Sequence, residues 1–305
     1  MDFQIAWRNI WRYPRRTSVI LIAVVIGVWS MIFLGALMRG IIVGMIHNGI
    51  NTLTGHILIH QSRYPDDPSI DNSIANGNEV LREIETLLPA NSHFASRVRV
   101  NTIVSNARHN GGATLVGIDP AEEKPLSFIG SAVTRGRYLK AEDDGAILVG
   151  LALAKRFDTK LGHKLILMTQ DKTGQIASKA YRIAVIFQAE MESTEKAYVF
   201  VTRKSARKML KMGPDISEIS ILLPSPNQAD QTATALEAEF AGQALRVRPW
   251  QDALPLLQAY LDLYDSFIMI WFLVVFVAMG FGILNTTLMA VFERMREFGL
   301  LKALG

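Results

Sequence analysis

The chain has 305 residues, of which 50% are hydrophobic, with a formal net charge of +4 and no cysteine. The absence of thiols excludes disulfide bonds and thiolate metal sites. Four arginines crowd the first sixteen positions, and no basic surface interleaved with aromatic residues follows, so nucleic acid is not an expected partner.

Two long uncharged runs predict membrane-spanning helices. The first covers residues 17–38 and the second residues 267–292. As a helix, the first rises roughly 33 Å, which is enough to cross a hydrocarbon core of about 30 Å. The second is longer and should tilt or protrude. Buried helices of a soluble protein are the alternative, but two uncharged runs of this length are rare outside membranes.

The flanks of these runs predict the orientation. The first run could be a cleaved signal peptide, but it is too long for one, and no small-x-small cleavage site follows directly. We therefore interpret it as an uncleaved anchor. Arginines precede the first run, and basic residues follow the second, so both termini should be cytoplasmic. Residues from about 45 to 263 would then lie on the outer side.

Small and apolar residues suggest how these helices pack and extend. Three pairs of small residues are four apart, which allows close helix approach: Ala23 and Gly27, Gly40 and Gly44, and Ala278 and Gly282. The other interpretation is that such residues are simply common in membrane helices. Helical apolar spacing also continues after the first run to residue 53 and before the second run from residue 254. We expect helical stalks there; two interfacial helices lying flat are the alternative.

Residues 54–252 predict an α+β domain, which we call the outer domain, with one or two subdomains. Apolar alternation predicts strands at residues 56–60, 97–104, 113–118, 164–170, 180–188, 198–202, 218–223 and 245–248. Helical spacing predicts helices at residues 79–88, 152–157, 204–211 and 228–240. Residues 63–78, rich in Pro, Asp and Asn, predict an inserted loop, and Asn110-Gly111-Gly112 predicts a hairpin turn.

No motif in the outer domain predicts catalysis, cofactor binding or metal binding. His56 and His60 are four apart, but on a strand that spacing separates them by about 13 Å, too far for one ion. Glu142, Asp143 and Asp144 precede a glycine and are interpreted as a solvated turn. A Walker phosphate loop, a G-x-S-x-G elbow and an HExxH motif are all missing from the sequence.

The most specific segment is GFGILNTTLMAVFERMREFGLLKALG, residues 280–305. It resembles the second membrane helix and following cytoplasmic helix of FtsX-like ABC transporter permeases, the superfamily of lipoprotein-releasing and macrolide-export types. AWRNIWRYPRRT resembles the amino-terminal amphipathic helix of that family. TGHILIH, VGIDP, GRYL and AILVGLALAKRFDTKLGHKLIL resemble parts of its outer domain.

The resemblance implies that residues 293–305 form a coupling helix that docks on a separate ATPase subunit. The matching positions are Glu293, Arg294, Arg296, Glu297, Phe298, Gly299, Leu301, Lys302 and Gly305. A solvated basic flank is the alternative interpretation of the same residues. The chain itself would be a non-catalytic subunit, with ATP and Mg bound to the partner ATPase. A similar permease in a homodimer or heterodimer, membrane lipid and a periplasmic protein are further expected partners.

The expected organisation is an α+β membrane protein in the bacterial inner membrane with a periplasmic domain. Its segments are a cytoplasmic amphipathic helix at 1–16, the first span and stalk at 17–53, the outer domain at 54–252, the second stalk and span at 253–292, and the coupling helix at 293–305. The family has four membrane helices, so a third and a fourth are expected beyond residue 305.

The resemblance also implies a function. The expected activity is mechanotransmission, in which ATP binding by the partner moves or releases an apolar or amphipathic cargo, such as a lipoprotein, lipid or drug, on the outer side. The alternative is a signalling subunit that controls a cell-wall hydrolase or a sensor. A two-span receptor unrelated to ABC systems is a third hypothesis.

Overall fold

The computed structural model describes residues 14–293 and 295–303. These residues form two compact units. One spans His47–Pro255 and contains the outer domain, and the other holds the described residues up to Ile46 and from Leu256 onwards. Most of the predicted amino-terminal helix at 1–16 lies outside the described residues.

The ten α-helices of the described residues are α1 Pro14–Gly49, α2 Gly77–Leu87, α3 Pro120–Glu123, α4 Leu151–Arg156, α5 Glu192–Ala197, α6 Arg203–Leu210, α7 Ala229–Glu239, α8 Trp250–Ala253, α9 Pro255–Glu293 and α10 Met295–Ala303. A π-helix covers Ile50–Thr54, and short 3-10 turns cover Ile70–Asn72, Phe128–Gly130 and Pro226–Gln228. The ten strands are β1 Ile57–Gln61, β2 His93–Ser105, β3 Asn110–Ile118, β4 Val133–Gly136, β5 Ala146–Gly150, β6 Lys164–Gln170, β7 Ile176–Phe187, β8 Tyr198–Thr202, β9 Glu218–Leu222 and β10 Leu245–Pro249.

Helices α1 and α9 carry the two predicted apolar runs, and both are long and apolar enough to cross a membrane. With 36 and 39 residues, they measure about 54 Å and 58 Å, well beyond a hydrocarbon core of about 30 Å. Large apolar side chains such as Trp29, Ile32 and Phe276 are exposed along them, as lipid-facing positions require. Since α9 begins at Pro255, the predicted second stalk and second span belong to one continuous helix.

The outer domain is built on a single ten-stranded sheet with the order β10-β1-β9-β2-β3-β8-β5-β7-β4, to which β6 adds by pairing with both β2 and β7. Strand β6 thereby closes a ring of six strands, β2-β3-β8-β5-β7-β6. Strand β2 pairs with β9 along residues 93–97 and with β3 along residues 98–105, so it joins the ring to the other strands. The two subdomains left open by the sequence are therefore two parts of one sheet.

Apolar alternation builds the core of this sheet. Residues Val98, Val100 and Val104 of β2 are buried in one cluster with residues of the neighbouring ring strands and of α4 and α6. The opposite face forms a second cluster in which the rings of Phe187 and Phe200 meet edge to face at 5.6 Å. The inserted loop is pinned to the domain, because Ile70 packs into the first cluster and Ile74 bridges Ile216.

Most predicted strands and helices of the outer domain agree with the structure, but the hairpin turn is wrong. Asn110, Gly111 and Gly112 pair with β2 as the first residues of β3. The turn lies earlier, because the Asn106 side chain accepts hydrogen bonds from the backbone N–H groups of Arg108 and His109. Strands β4 and β5 and helices α3 and α5, all between four and six residues long, were not predicted by periodicity.

Candidate functional site

The predicted coupling residues lie at the end of the described chain. Glu293 ends α9, and Arg296, Glu297, Phe298, Gly299, Leu301 and Lys302 belong to α10. Gly299 and Lys302 are exposed. Arg294 and Gly305 lie outside the described residues. The expected short helix is therefore present over Met295–Ala303, while its coupling role stays a prediction.

The two apolar helices contact each other through small residues of α1. A Cβ atom placed on Gly27 would lie 3.0 Å from Met279 Sδ, and one on Gly35 would lie 3.8 Å from Phe272. Because the partner number falls as the α1 number rises, the helices run antiparallel. Of the predicted small-residue pairs, Gly27 is thus at a helix contact. A Cβ atom on Gly40 or Gly44 would meet no described atom within 4 Å.

A compact connection joins α1 to β1. Near the end of the π-helix Leu53 has φ +106°, and Gly55 follows the helix at φ +68° and ψ −169°. These are sparsely populated backbone regions, the second of which is essentially restricted to glycine. A Cβ atom on Gly55 would lie 2.5 Å from Ser220 Oγ and 2.6 Å from the Ile221 carbonyl oxygen. The backbone therefore turns sharply into β1 while it presses against β9.

The chain leaves the outer domain beside the place where it enters. Strand β10 pairs antiparallel with β1, with Ile57 opposite Pro249. The Trp250 N–H then donates to the His56 carbonyl at 3.0 Å. Only five residues, 250–254, separate β10 from α9. Both connections to the apolar helices thus converge on one pair of hydrogen-bonded strands.

A buried ionic cluster lies beneath this convergence. Arg97 is fully buried and donates from Nε and Nη2 to the two carboxylate oxygens of Glu123, at 2.9 and 2.8 Å. Its Nη1 donates to the Leu53 carbonyl and to Glu218 Oε1, the latter at 3.3 Å. A guanidinium in this arrangement has its charge and its donors satisfied together, which burial requires. Arg97 thereby links the end of the π-helix to α3 and β9.

The cluster continues along β2 to a second arginine. Arg99 Nη1 donates to Glu218 Oε2 at 3.4 Å, and Arg99 Nη2 donates to the Tyr198 hydroxyl at 3.2 Å. Burial disfavours the charged forms of both arginines, but their carboxylate partners outweigh it and raise the pKa of Arg97 and of Arg99. Burial, reinforced by Glu218, raises the pKa of Tyr64, whose hydroxyl donates to the Arg99 carbonyl. These groups therefore keep fixed protonation states at neutral pH.

The two histidines have separate environments. His56 Nδ1 accepts a hydrogen bond from the Leu223 N–H at 2.9 Å, which places its proton on Nε2. His60 Nδ1 lies 3.3 Å from the Gln61 carbonyl, and its Nε2 has no partner. Burial lowers the pKa of both rings, so both are neutral at pH 7. His56 thus has a structural role at the strand convergence.

The predicted acidic turn is more structured than expected. Glu142 is exposed, but Asp143 accepts two 2.7 Å hydrogen bonds from Arg137. The Asp144 carboxylate accepts hydrogen bonds from Lys179 Nζ at 2.9 Å and from Lys208 Nζ at 3.3 Å. Hydrogen bonding to Lys179 lowers the pKa of Asp144 to about 2. The turn is therefore held by ion pairs to neighbouring elements.

Sequence reasoning missed the ionic cluster because alternation misassigns Arg97. Buried Val98 and Val100 place Arg97 and Arg99 on the opposite face of β2, which a half-buried strand would expose to solvent. The available signal was Glu218, a carboxylate at the start of the predicted strand 218–223. Its pairing with Arg97 depends on the β2–β9 register, which no local pattern reveals.

Comparisons with known proteins agree with this architecture. Residues 17–239 match the model of a family described as MacB-like periplasmic core domain. The lipoprotein-releasing system transmembrane protein LolC of Neisseria meningitidis is 20% identical over 276 residues, covering 87% of this chain and 65% of that protein. LolE of Haemophilus influenzae is 21% identical over 214 residues, covering 68% of this chain and 51% of that protein.

The chain thus spans between half and two thirds of the length of these curated relatives. Among solved structures, the periplasmic region of MacB from Actinobacillus actinomycetemcomitans is 11% identical, with a TM-score of 0.45, covering 70% of this chain and 98% of that structure. The family model and the relatives confirm the resemblance to FtsX-like permeases drawn from the sequence.

Proposed function

This chain belongs to the MacB-like periplasmic core domain family, and from that premise we propose that it is the membrane subunit of an ABC transporter. The relatives LolC and LolE carry the name of a lipoprotein-releasing system. That name supports a cargo of the same kind, an acylated protein or another amphipathic molecule. The outer domain would lie in the periplasm and both described helix ends, residues 14 and 303, in the cytoplasm, in keeping with the basic flanks.

The proposed mechanism is mechanical. A separate ATPase subunit binds ATP and Mg²⁺, closes, and displaces the segment 293–305. Helix α9 carries this displacement along its length, because the hydrogen-bonded ladder of a helix resists extension. The outer domain then changes its hold on the cargo. In this scheme the present chain performs no bond chemistry and acts as a lever.

One observation carries the proposal. Helices α1 and α9 connect through short segments to β1 and β10, which are direct neighbours in the sheet. A long flexible linker would absorb displacement as chain entropy, whereas a connection of five to seven residues cannot. The buried Arg97 cluster binds the Leu53 carbonyl at the first of these connections. A displacement of the outer-domain end of either helix would therefore be transmitted directly to the sheet.

The ATPase contact is tested by co-purification of the full-length protein from membranes. Glu297→Lys and Gly299→Leu should each reduce the recovered ATPase subunit, because the family resemblance assigns both positions to the docking helix. Glu142→Lys, a matched charge reversal in the exposed turn of the outer domain, should leave recovery unchanged. Normal recovery with both α10 variants would contradict the coupling role.

The transport role needs its own measurement. Proteoliposomes of the assembled complex should release a fluorescent acylated protein when ATP is added. Deletion variants of the outer domain should lose this release. Normal release together with defective cell-wall turnover in such variants would instead favour the signalling role.

A further inference from the structure

A small pocket opens in the outer domain on the polar face of strands β1, β2, β9 and β10. Its volume is about 210 Å³, and its polar walls are His60, Tyr64, Arg99, Glu218 and Arg248. Strand register brings these walls together, because His60 lies opposite Glu218 and Leu58 lies opposite Arg248. The volume is below the range of about 300–1,000 Å³ that is typical of drug-sized ligands, so the pocket suits a single functional group or a small ion.

The charges around the pocket are unbalanced. Three guanidinium groups and two carboxylates lie in this region. Arg97 and Arg99 pair with Glu123 and Glu218, whereas Arg248 pairs with neither carboxylate. The structure places no carboxylate of the described residues within ion-pair distance of Arg248. Its Nη2 donates to the Asp252 carbonyl, and its buried Nε has no partner. The groups around the pocket therefore carry an excess positive charge, and one buried donor among them is unpaired.

His60 adds an unsatisfied group of the opposite kind. Only 2% of the residue is exposed, and Nε2 is buried without a hydrogen-bond partner. Since Nδ1 can only donate to the Gln61 carbonyl, the neutral ring presents the bare lone pair of Nε2. Buried polar atoms left unpaired are costly and call for a specific explanation. A ligand that brings a proton to Nε2 would satisfy it.

We propose that this pocket binds a phosphate group together with one proton. The anionic oxygens would accept from Arg248 and Arg99, and the proton would lie between one ligand oxygen and His60 Nε2. Arginine is suited to such recognition because its planar group presents several donors to an oxyanion. The phosphate could be a free ion or the headgroup of a lipid, and the chemistry of recognition is the same for both.

The proton makes binding depend on pH. The charged and titratable groups beside His60 are Glu218 on β9, Arg246 and Arg248 on β10, Arg99 on β2 and Tyr64 on the following loop. Burial lowers the pKa of the His60 ring and Arg248 adds to this, against the opposing influence of the Gln61 carbonyl and Glu218. A bound anion reverses the local field and favours the protonated ring. Affinity should therefore rise as the pH falls.

Sulfate isolates the contribution of His60, because it carries no proton near neutral pH. In titration calorimetry of the full-length protein in phosphatidylcholine nanodiscs, sulfate affinity should rise by about fivefold or more from pH 8 to pH 6. Arg248→Gln should weaken both sulfate and phosphate by about tenfold or more, and Arg248→Lys should retain part of the affinity. Arg137→Gln, at a half-exposed ion pair elsewhere in the domain, is the matched control and should bind normally.

Two experiments distinguish a free phosphate ion from a lipid headgroup, and both measure the thermal unfolding midpoint of the protein. Stabilisation by inorganic phosphate over chloride at equal ionic strength assigns the pocket to a free ion. Stabilisation only by phosphatidic acid in the nanodisc assigns it to a lipid headgroup. Either effect must vanish in Arg248→Gln, whose own midpoint without phosphate reports its folding. An equal effect in wild type and Arg248→Gln, or none in either arm, would overturn the proposal.

Discussion

Arg97 holds together parts of the chain that are far apart in sequence, namely the π-helix at Leu53, α3 at Glu123 and β9 at Glu218. Its net contribution to folding relative to an apolar residue can be small, because burying the charges is itself costly. Removing Arg97 alone is a different matter, since Glu123 then remains buried without its cation and Glu218 keeps only Arg99.

Arg97→Met should therefore lower the free energy of unfolding by about 3–5 kcal/mol. For a domain of this size that corresponds to a fall of roughly 6–20 °C in the thermal midpoint, measured on the purified full-length protein in detergent. Arg137→Met breaks a half-exposed pair with Asp143 and should lower the midpoint only slightly, because exposed ion pairs contribute little. Equal effects of the two substitutions would show that the buried cluster has no special role.

Asp171 gives a pH-dependent prediction. Its side chain is buried and accepts from Lys211, from the Thr173 hydroxyl and from the N–H groups of Thr173 and Gln175. The ion pair with Lys211 holds the pKa of Asp171 below its usual value. A lowered folded-state pKa means that the stabilisation is complete above the unfolded-state pKa of about 3.9 and is lost as the pH falls below it.

Asp171→Asn should thus lower the thermal midpoint at pH 7, and the difference from wild type should shrink below about pH 4. Thermal midpoints across pH 3–7 measure this. Asp158→Asn is the matched control, because the Asp158–Arg108 pair is exposed and should contribute little at any pH. A difference that stays constant down to pH 3 would contradict the assignment.

Among the elements, the connection between α1 and β1 is tightly constrained by geometry. Gly55 combines a backbone conformation that side chains rarely adopt with contacts that leave no room for a Cβ atom. Gly162 shares the positive φ, at +84°, but a Cβ atom there would meet no described atom within 4 Å. A comparison of substitutions at the two glycines therefore separates the effect of backbone strain from that of steric collision.

Gly55→Ala should destabilise the protein by about 3 kcal/mol or more, since strain of about 1–3 kcal/mol adds to the clash with β9. Gly162→Ala should cost only the strain, about 1–2 kcal/mol. Chemical denaturation of both variants in the same detergent gives the comparison. If Gly55→Ala proves as mild as Gly162→Ala, the turn into β1 can relax and is not a stiff connection.

The sequence predicted elements better than their arrangement. The spans follow from uncharged length alone, and strands such as β6 and β8 agree with prediction to the residue. Strand β5 was not predicted, because its apolar run continues directly into α4 and periodicity cannot show where the strand ends and the helix begins. The ring closed by β6 depends on the pairings β2–β6 and β6–β7. The first of these joins residues about sixty positions apart, and local patterns carry no information about it.

The functional residues show the same contrast between local patterns, which the sequence reveals, and long-range contacts, which it does not. Residues 293–305 could be singled out because their pattern is local and resembles a family. The Arg97 cluster and the His60 pocket could not, because each is assembled from separate strands and depends on register. His60 was considered only as a metal ligand, whereas its unpartnered Nε2 emerges only when β9 and β10 are in place beside it.

At the scale of the whole molecule, the proposed mechanism is that of a lever. The apolar helices lead through short connections into two paired strands, and the rest of the sheet is built outwards from that pair. In the proposed mechanism these connections carry the displacement from the helices to the sheet. Lengthening one of them should uncouple ATP hydrolysis from work on the outer side, without disturbing the fold on either side.

The most direct test inserts Gly-Ser-Gly-Ser after Ala253, between α8 and α9, in the full-length protein assembled with its ATPase. A matched insertion after Gly242 lies in the exposed turn between α7 and β10. ATP-driven release of an acylated protein from proteoliposomes is measured beside ATP hydrolysis. We predict that the insertion after Ala253 abolishes release but leaves hydrolysis, and that the insertion after Gly242 preserves both. Normal release with the insertion after Ala253 would contradict mechanical coupling through this connection.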